Sequence, residues 1–278
     1  MLVAVGLLCQ EVGASLAVML FPQVGPLGMV MLRLVFSALI LLLIARPRLR
    51  GHSGYAWRSA VMLGGVLALM NGLFYLALRE LPLGVTVTIE VLGPLTLAVV
   101  TARTRSAWLW AGVAAIGILA LGGGGWERLT LTGVLFALGA AASWAGYILA
   151  SARVGRAFEK LDGLALAMAI GAVLSLPFGV ADAGAALLRL DIVLIGAAVA
   201  VLSSTIPYAL ELMALRRLTP AVFGILMSLG PATASLAGFV LLGQHLSALE
   251  LTGIALVIIA SAGAVWAGRR RPTVEPVA

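Results

Sequence analysis

Leu81-Pro82-Leu83-Gly84-Val85-Thr86-Val87-Thr88-Ile89-Glu90-Val91-Leu92-Gly93-Pro94-Leu95-Thr96-Leu97-Ala98-Val99-Val100-Thr101-Ala102 is an apolar run with two interruptions. It reads as a helix that starts at Pro82 and continues to about Ala102. Glu90 puts a carboxylate at hydrocarbon depth. Pro94, four residues on, has no N–H, so the Glu90 carbonyl loses its helical donor. Such a turn must face neighbouring helices or a water-filled cavity, because lipid can satisfy neither group.

Outward from that turn the chain stays apolar. Of 278 residues, 62% are hydrophobic and 10% charged, and the mean hydropathy is +1.14. A soluble domain carries about 25% charged residues, so this composition indicates an integral membrane protein. Cys9 is the sole cysteine and lies in an apolar run, which excludes a disulfide framework or a cysteine metal cluster. His52 and His245 are far apart in predicted loops, so neither a metal site nor another cofactor is expected. The net charge of +7 is loop charge and does not imply nucleic acid. Seventeen arginines against one lysine, Lys160, fit a GC-rich bacterial genome. No basic region precedes Val3–Leu20, so a cleaved signal peptide is not expected.

A bilayer-spanning helix needs about 20 apolar residues. Segments of that kind fall near 3–20, 27–45, 59–78, 83–102, 107–124, 132–150, 163–180, 192–213, 221–242 and 248–267. With ten alternating spans, fourteen basic residues share one side: Arg46, Arg48, Arg50, Arg58, Arg103, Arg105, Arg153, Arg156, Lys160, Arg216, Arg217 and Arg269 to Arg271. The other side keeps Arg79, Arg128 and Arg189. The excess of positive charge places both termini in the cytoplasm. Trp57, Trp108, Trp110, Trp126 and Trp266 lie at predicted helix ends, as an interfacial aromatic belt requires, whereas Trp144 is mid-helix.

The chain also repeats. A shift of 137 residues lays Ala77-Leu78-Arg79-Glu80-Leu81 on Ala214-Leu215-Arg216-Arg217-Leu218, and Leu92-Gly93-Pro94 on Leu229-Gly230-Pro231. The shift spans five helices, so the two copies insert with opposite orientation. The expected architecture is all-α, with a first five-helix repeat over 1–130 and a second over 131–278 that ends in a short basic tail. Inverted repeats with broken helices are the plan of secondary transporters, whose substrate site lies near the midplane. The breaks are expected at Gly93 and Pro94, and at Gly230 and Pro231.

Three charges reach similar depth on different helices. At 1.5 Å per residue, Glu90 lies roughly 10 Å in, Arg33 roughly 9 Å and Glu11 roughly 14 Å. Each would cost about 2.5–3.5 kcal/mol facing lipid, so mutual pairing is expected to gather them. A structural Arg–Glu pair that merely joins helices is the bland alternative. Two acids and one base leave a carboxylate over, which makes Glu90 and Glu11 candidate proton carriers. Gln10 beside Glu11, Asn71, Tyr75 one turn above it, Trp144 with Tyr147, and Tyr208 after Pro207 are further candidates to line a cavity. As single aromatics, the last three are as often packing. Glu211 lies near Arg216, where an interfacial ion pair is expected. Ala167, Gly171 and Ser175 have small-xxx-small spacing, which favours close helix approach over binding.

Gly13-Ala14-Ser15-Leu16-Ala17, Ile89 to Leu95 and Phe223-Gly224-Ile225-Leu226-Met227-Ser228-Leu229 resemble the drug/metabolite transporter superfamily. Within it they are most similar to the EamA family and its threonine/homoserine exporters. The resemblance covers essentially the whole chain and adds Ser228 to the candidate substrate-binding residues. It implies a multi-pass exporter in the bacterial inner membrane, driven by proton exchange, with a small-molecule substrate and the lipid bilayer as its partners. A homodimer is compatible with it. Two positions depart from the family pattern: Gly230 where an acid usually precedes the ninth-helix proline, and Gln244 where an acid usually follows the glycine.

A zwitterionic amino acid needs an anion for its ammonium and donors for its carboxylate, which Glu90 or Glu11 with Arg33 supplies. Export of a drug or other metabolite is the alternative within the same class. A membrane-embedded lipid enzyme is disfavoured, because no HExxH, GxSxG, metal-ligand cluster or sizeable catalytic loop is found.

Overall fold

The computed structural model describes residues 2–102, 105–122, 129–159, 161–207, 210 and 226–268. The regular structure of these residues is helical throughout. Helix α1 runs Leu2–Ala45, α2 Gly54–Glu80, α3 Leu83–Glu90, α4 Leu92–Ala102 and α5 Arg105–Gly122. Then come α6 Leu131–Ala157, α7 Asp162–Ala183, α8 Leu190–Ala200, α9 Gly230–Leu242 and α10 Ala248–Gly268. Six helical segments among the described residues are long and apolar enough to cross a membrane. Three shorter apolar stretches, Trp108–Leu121, Leu190–Thr205 and Gly230–Leu242, accompany them.

Helix α1 merges two predicted spans. Its 44 residues would measure roughly 66 Å, about twice a hydrocarbon core of roughly 30 Å. The division falls at Gly25, whose φ of 68° and ψ of 163° leave the helical region. A side chain there would also collide with the Asp182 carboxylate. Asp182, at the end of α7, instead accepts hydrogen bonds from the N–H groups of Leu27 at 2.8 Å and Gly28 at 3.4 Å. These are orphan donors of the helix that restarts after Gly25.

Local signals set the other boundaries. Ser53 caps α2 through the Ala56 N–H, and Thr130 caps α6 through the Gly133 N–H. At the start of α10 the Ser247 N–H donates to the Glu250 carboxylate and the Glu250 N–H to the Ser247 hydroxyl, a capping box. Glycine stripes decide how closely the helices pack. A methyl at Gly64 would stand 2.5 Å from the Ala167 carbonyl oxygen, and one at Gly171 would stand 2.9 Å from that of Gly64. The small residues of α7 therefore serve close approach to α2, as their spacing indicates.

Candidate functional site

The predicted single span over 83–102 is two helices in series. Every residue of α3 from Leu83 to Ile89 is buried. Val91, with φ −60° and ψ −19°, separates α3 from α4. Because α4 begins at Leu92, Pro94 falls in its first turn, where a missing N–H does least harm. The ladder resumes when Leu95 donates to the Val91 carbonyl at 3.2 Å. A second break lies ahead of α9 at Ser228 and Leu229, where Ala232 and Thr233 both donate to the Leu229 carbonyl. Pro231 again lies within the first turn of the following helix. Val91 and Ser228 are 137 positions apart, which is also the spacing of the sequence repeat.

Between these breaks lies a cavity of about 400 Å³, within the range of roughly 300–1,000 Å³ usual for ligand pockets. Of the residues singled out from sequence, Gln10, Arg33, Asn71, Glu90, Pro94, Trp144, Tyr147 and Ser228 line it. Asn71 also donates to the Leu67 carbonyl of its own helix at 2.8 Å. Glu11 and Tyr75 stand behind the wall, 2% and 0% exposed. One carboxylate oxygen of Glu11 is buried with no hydrogen-bond partner among the described residues. Gly93 lies against the Ala141 carbonyl of α6, and Gly230 and Pro231 are buried in α9. Tyr208, Glu211, Arg216, Arg217, Arg103, Arg128, Trp126, Lys160 and Arg269 to Arg271 lie outside the described residues.

Pairing of Arg33 with a glutamate is not how its described contacts run. Nε donates to Ser204 Oγ at 3.2 Å, Nη2 to the Ser203 carbonyl at 3.1 Å, and Nη1 to the Tyr75 hydroxyl at 3.5 Å. The guanidinium carbon also lies 5.7 Å from the Tyr75 ring centroid, within cation–π reach. Tyr75 is held in turn by Phe21 and Phe74, at centroid distances of 5.7 and 5.9 Å. The ion pairs among the described residues are Arg79–Glu80, with the glutamate half-buried, and the exposed Arg189–Asp191. Arg33 and Glu90 both line the cavity wall.

Sequence reasoning passed over Ser203, Met70, Phe74, Met227 and Ser261, which also line the cavity. Ser203 was legible in retrospect: Pro207 follows it by four residues, the same relation as Glu90 to Pro94. The apolar lining residues carry no such mark, because methionine and phenylalanine are unremarkable in a membrane span.

Residues 131–266 match the model of the EamA-like transporter family. The threonine/homoserine exporter RhtA of Salmonella typhimurium (strain SL1344) is 38% identical over 267 residues, covering 95% of this chain and 90% of the relative. The protein of the same name from Escherichia coli (strain K12) shows the same identity and coverage. The uncharacterized transporter YwfM of Bacillus subtilis (strain 168) is 29% identical over 238 residues, 80% of this chain and 77% of its own. A chain of known crystal structure, 18% identical, superposes with a TM-score of 0.65 over 97% of both chains, a likeness of fold.

Proposed function

This chain belongs to the EamA-like transporter family, and from that premise we propose that it exports small amino acids of the threonine and homoserine kind in exchange for protons. The observation that carries the reading is the shared cavity wall of Glu90 and Arg33. A zwitterion presents an ammonium and a carboxylate a few ångströms apart, and an acid and a base in one cavity wall answer both ends. Relatives named threonine/homoserine exporters at 38% identity point to the same substrates. Glu90, in the wall, meets the ammonium; Glu11, buried behind it, is the second carboxyl group able to carry a proton through the cycle.

The transport cycle rests on ten spans in two inverted halves, 1–130 and 131–278. Helix breaks at Val91 and Ser228, one repeat length apart, support that division. The arginine distribution puts both termini in the cytoplasm of a bacterial inner membrane. In that orientation Ala98, Ala264 and Val265 extend the cavity wall towards the cytoplasmic ends of α4 and α10. A cavity reaching that way suits an exporter that loads from inside.

Met70, Phe74, Trp144 and Met227 give the wall a sizeable apolar face as well. That face favours a second reading, export of a larger apolar metabolite. Export of a labelled amino-acid panel from cells overexpressing the chain, with and without a proton-gradient uncoupler, tests the proposal. Uncoupler-sensitive threonine or homoserine efflux is expected. Efflux of apolar compounds alone would replace the amino-acid reading with the second one.

A further inference from the structure

The Arg33 guanidinium meets a turn that lies just ahead of a proline on another helix. Just after α8, residues Val201–Thr205 form a π turn, closed by the Ile206 N–H reaching back five residues to the Val201 carbonyl. Pro207 follows. In an α-helix the Ser203 carbonyl would accept from the N–H of residue 207, and proline has none. Arg33 Nη2 donates to the Ser203 carbonyl at 3.1 Å, and Nε to the Ser204 hydroxyl on the same turn. Ser203 and Ser204 are each 3% exposed, so water is a poor substitute for the guanidinium. Pro207 is itself buried and does not line the cavity.

We infer that Pro207 is a positioning residue for substrate recognition: it frees the Ser203 carbonyl, and that carbonyl with Ser204 holds the Arg33 guanidinium where the substrate carboxylate binds. The inference rests on the amino-acid reading above for its substrate. Its mechanical part, the coupling of Pro207 to Arg33, stands on the hydrogen bonds alone. Pro207→Ala gives residue 207 an N–H, lets the helix satisfy Ser203 internally and loosens the hold on Arg33. The variant changes neither the charge nor the lining of the cavity.

Two measurements on the full-length protein test the inference. In proteoliposomes, Pro207→Ala should raise the KM for threonine about tenfold, the size of one charge-assisted hydrogen bond, with Vmax nearly kept. Inhibition by 1-aminopropan-2-ol, which lacks the carboxylate, should be unchanged. Ser204→Ala should act in the same direction, and Ser204→Thr should restore the native KM. Equal losses for the acid and the amine, or an unchanged KM, would overturn the positioning role. The second measurement is hydrogen exchange over residues 201–206. Arg33→Leu should speed exchange there in the native chain and have little effect in Pro207→Ala, where the helix has its own donor. The same acceleration in both backgrounds would also overturn the inference. If the native chain moves no threonine, the amino-acid reading fails instead, and the exchange measurement still decides whether Pro207 acts through Arg33.

Discussion

Gly93 of α4 lies directly against the Ala141 carbonyl of α6, with no space for a side chain between them. A methyl placed on Gly230, its counterpart in the sequence repeat, would meet among the described residues only Val87 at 3.8 Å and Leu7 at 4.0 Å. Sequence places the two in identical motifs, and packing makes them unequal. Gly93→Ala should destabilise the protein by about 1–3 kcal/mol through overpacking, while Gly230→Ala should stay close to the native value. Thermal unfolding of the two variants in the same detergent checks this, and similar melting temperatures would contradict it.

The break at Val91 depends on Pro94. Pro94→Ala returns a donor to the Glu90 carbonyl and allows one continuous helix through 83–102. The expected result is a folded, inserted protein whose transport rate is much reduced, because alternating access on the proposed cycle needs the irregular turn. Transport at the native rate would remove that turn from the cycle.

Glu90 faces the cavity, and the described hydrogen bonds of Arg33 go elsewhere. On the proposed reading, Glu90→Gln should express and insert normally, without the loss of about 3–5 kcal/mol expected when a buried ion pair is broken. Export should fall at least about tenfold as the ammonium loses its counter-charge, and residual flux should lose its dependence on pH. Poor expression rescued by also neutralising Arg33 would instead mark a structural pair. Normal export at every pH would move the coupling role to Glu11.

Gln244 has a definable task in the fold. Its Oε1 accepts from the Leu83 N–H at 2.9 Å, capping α3 from the end of α9. Gln244→Ala should cost about 1 kcal/mol, as other lost caps do. Gln244→Glu keeps an acceptor and adds negative charge at a helix N-terminus, so stability should hold or rise by about 0.3–1 kcal/mol. Melting temperatures rank the three proteins; a glutamate variant below alanine would refute the capping role.

Orientation is tested by single-cysteine variants in a background where Cys9 is replaced by alanine. Positions 51–54 and 154–158 should resist an impermeant thiol reagent in intact cells and react after permeabilisation. Labelling from outside would reverse the assigned topology.

The break at Glu90 and Pro94 was legible because a charge and a proline are conspicuous in an apolar run. Trp144, Tyr147 and Asn71 were legible as wall residues for the same reason. The surroundings of Arg33 were not. Ser204 passes unnoticed in a membrane helix, and only the packing of α1 against that turn reveals its use and that of Ser203. Tyr75 was expected at the cavity and instead supports Arg33 from behind. The two predicted spans 3–20 and 27–45 were separated correctly by pattern, but the device between them, Asp182, belongs to a helix remote in sequence.

That device also imposes an order in time. The amides of Leu27 and Gly28 are made long before Asp182, which follows Gly28 by 182 − 28 = 154 residues. At roughly 5–20 residues per second, synthesis keeps them waiting about 8–30 seconds. During that interval the first helical pair is in the membrane with its turn unfinished, and only the arrival of α7 completes it. A nascent chain interrupted before residue 182 therefore holds a provisional first helix pair, whose final bend is set by residues not yet made.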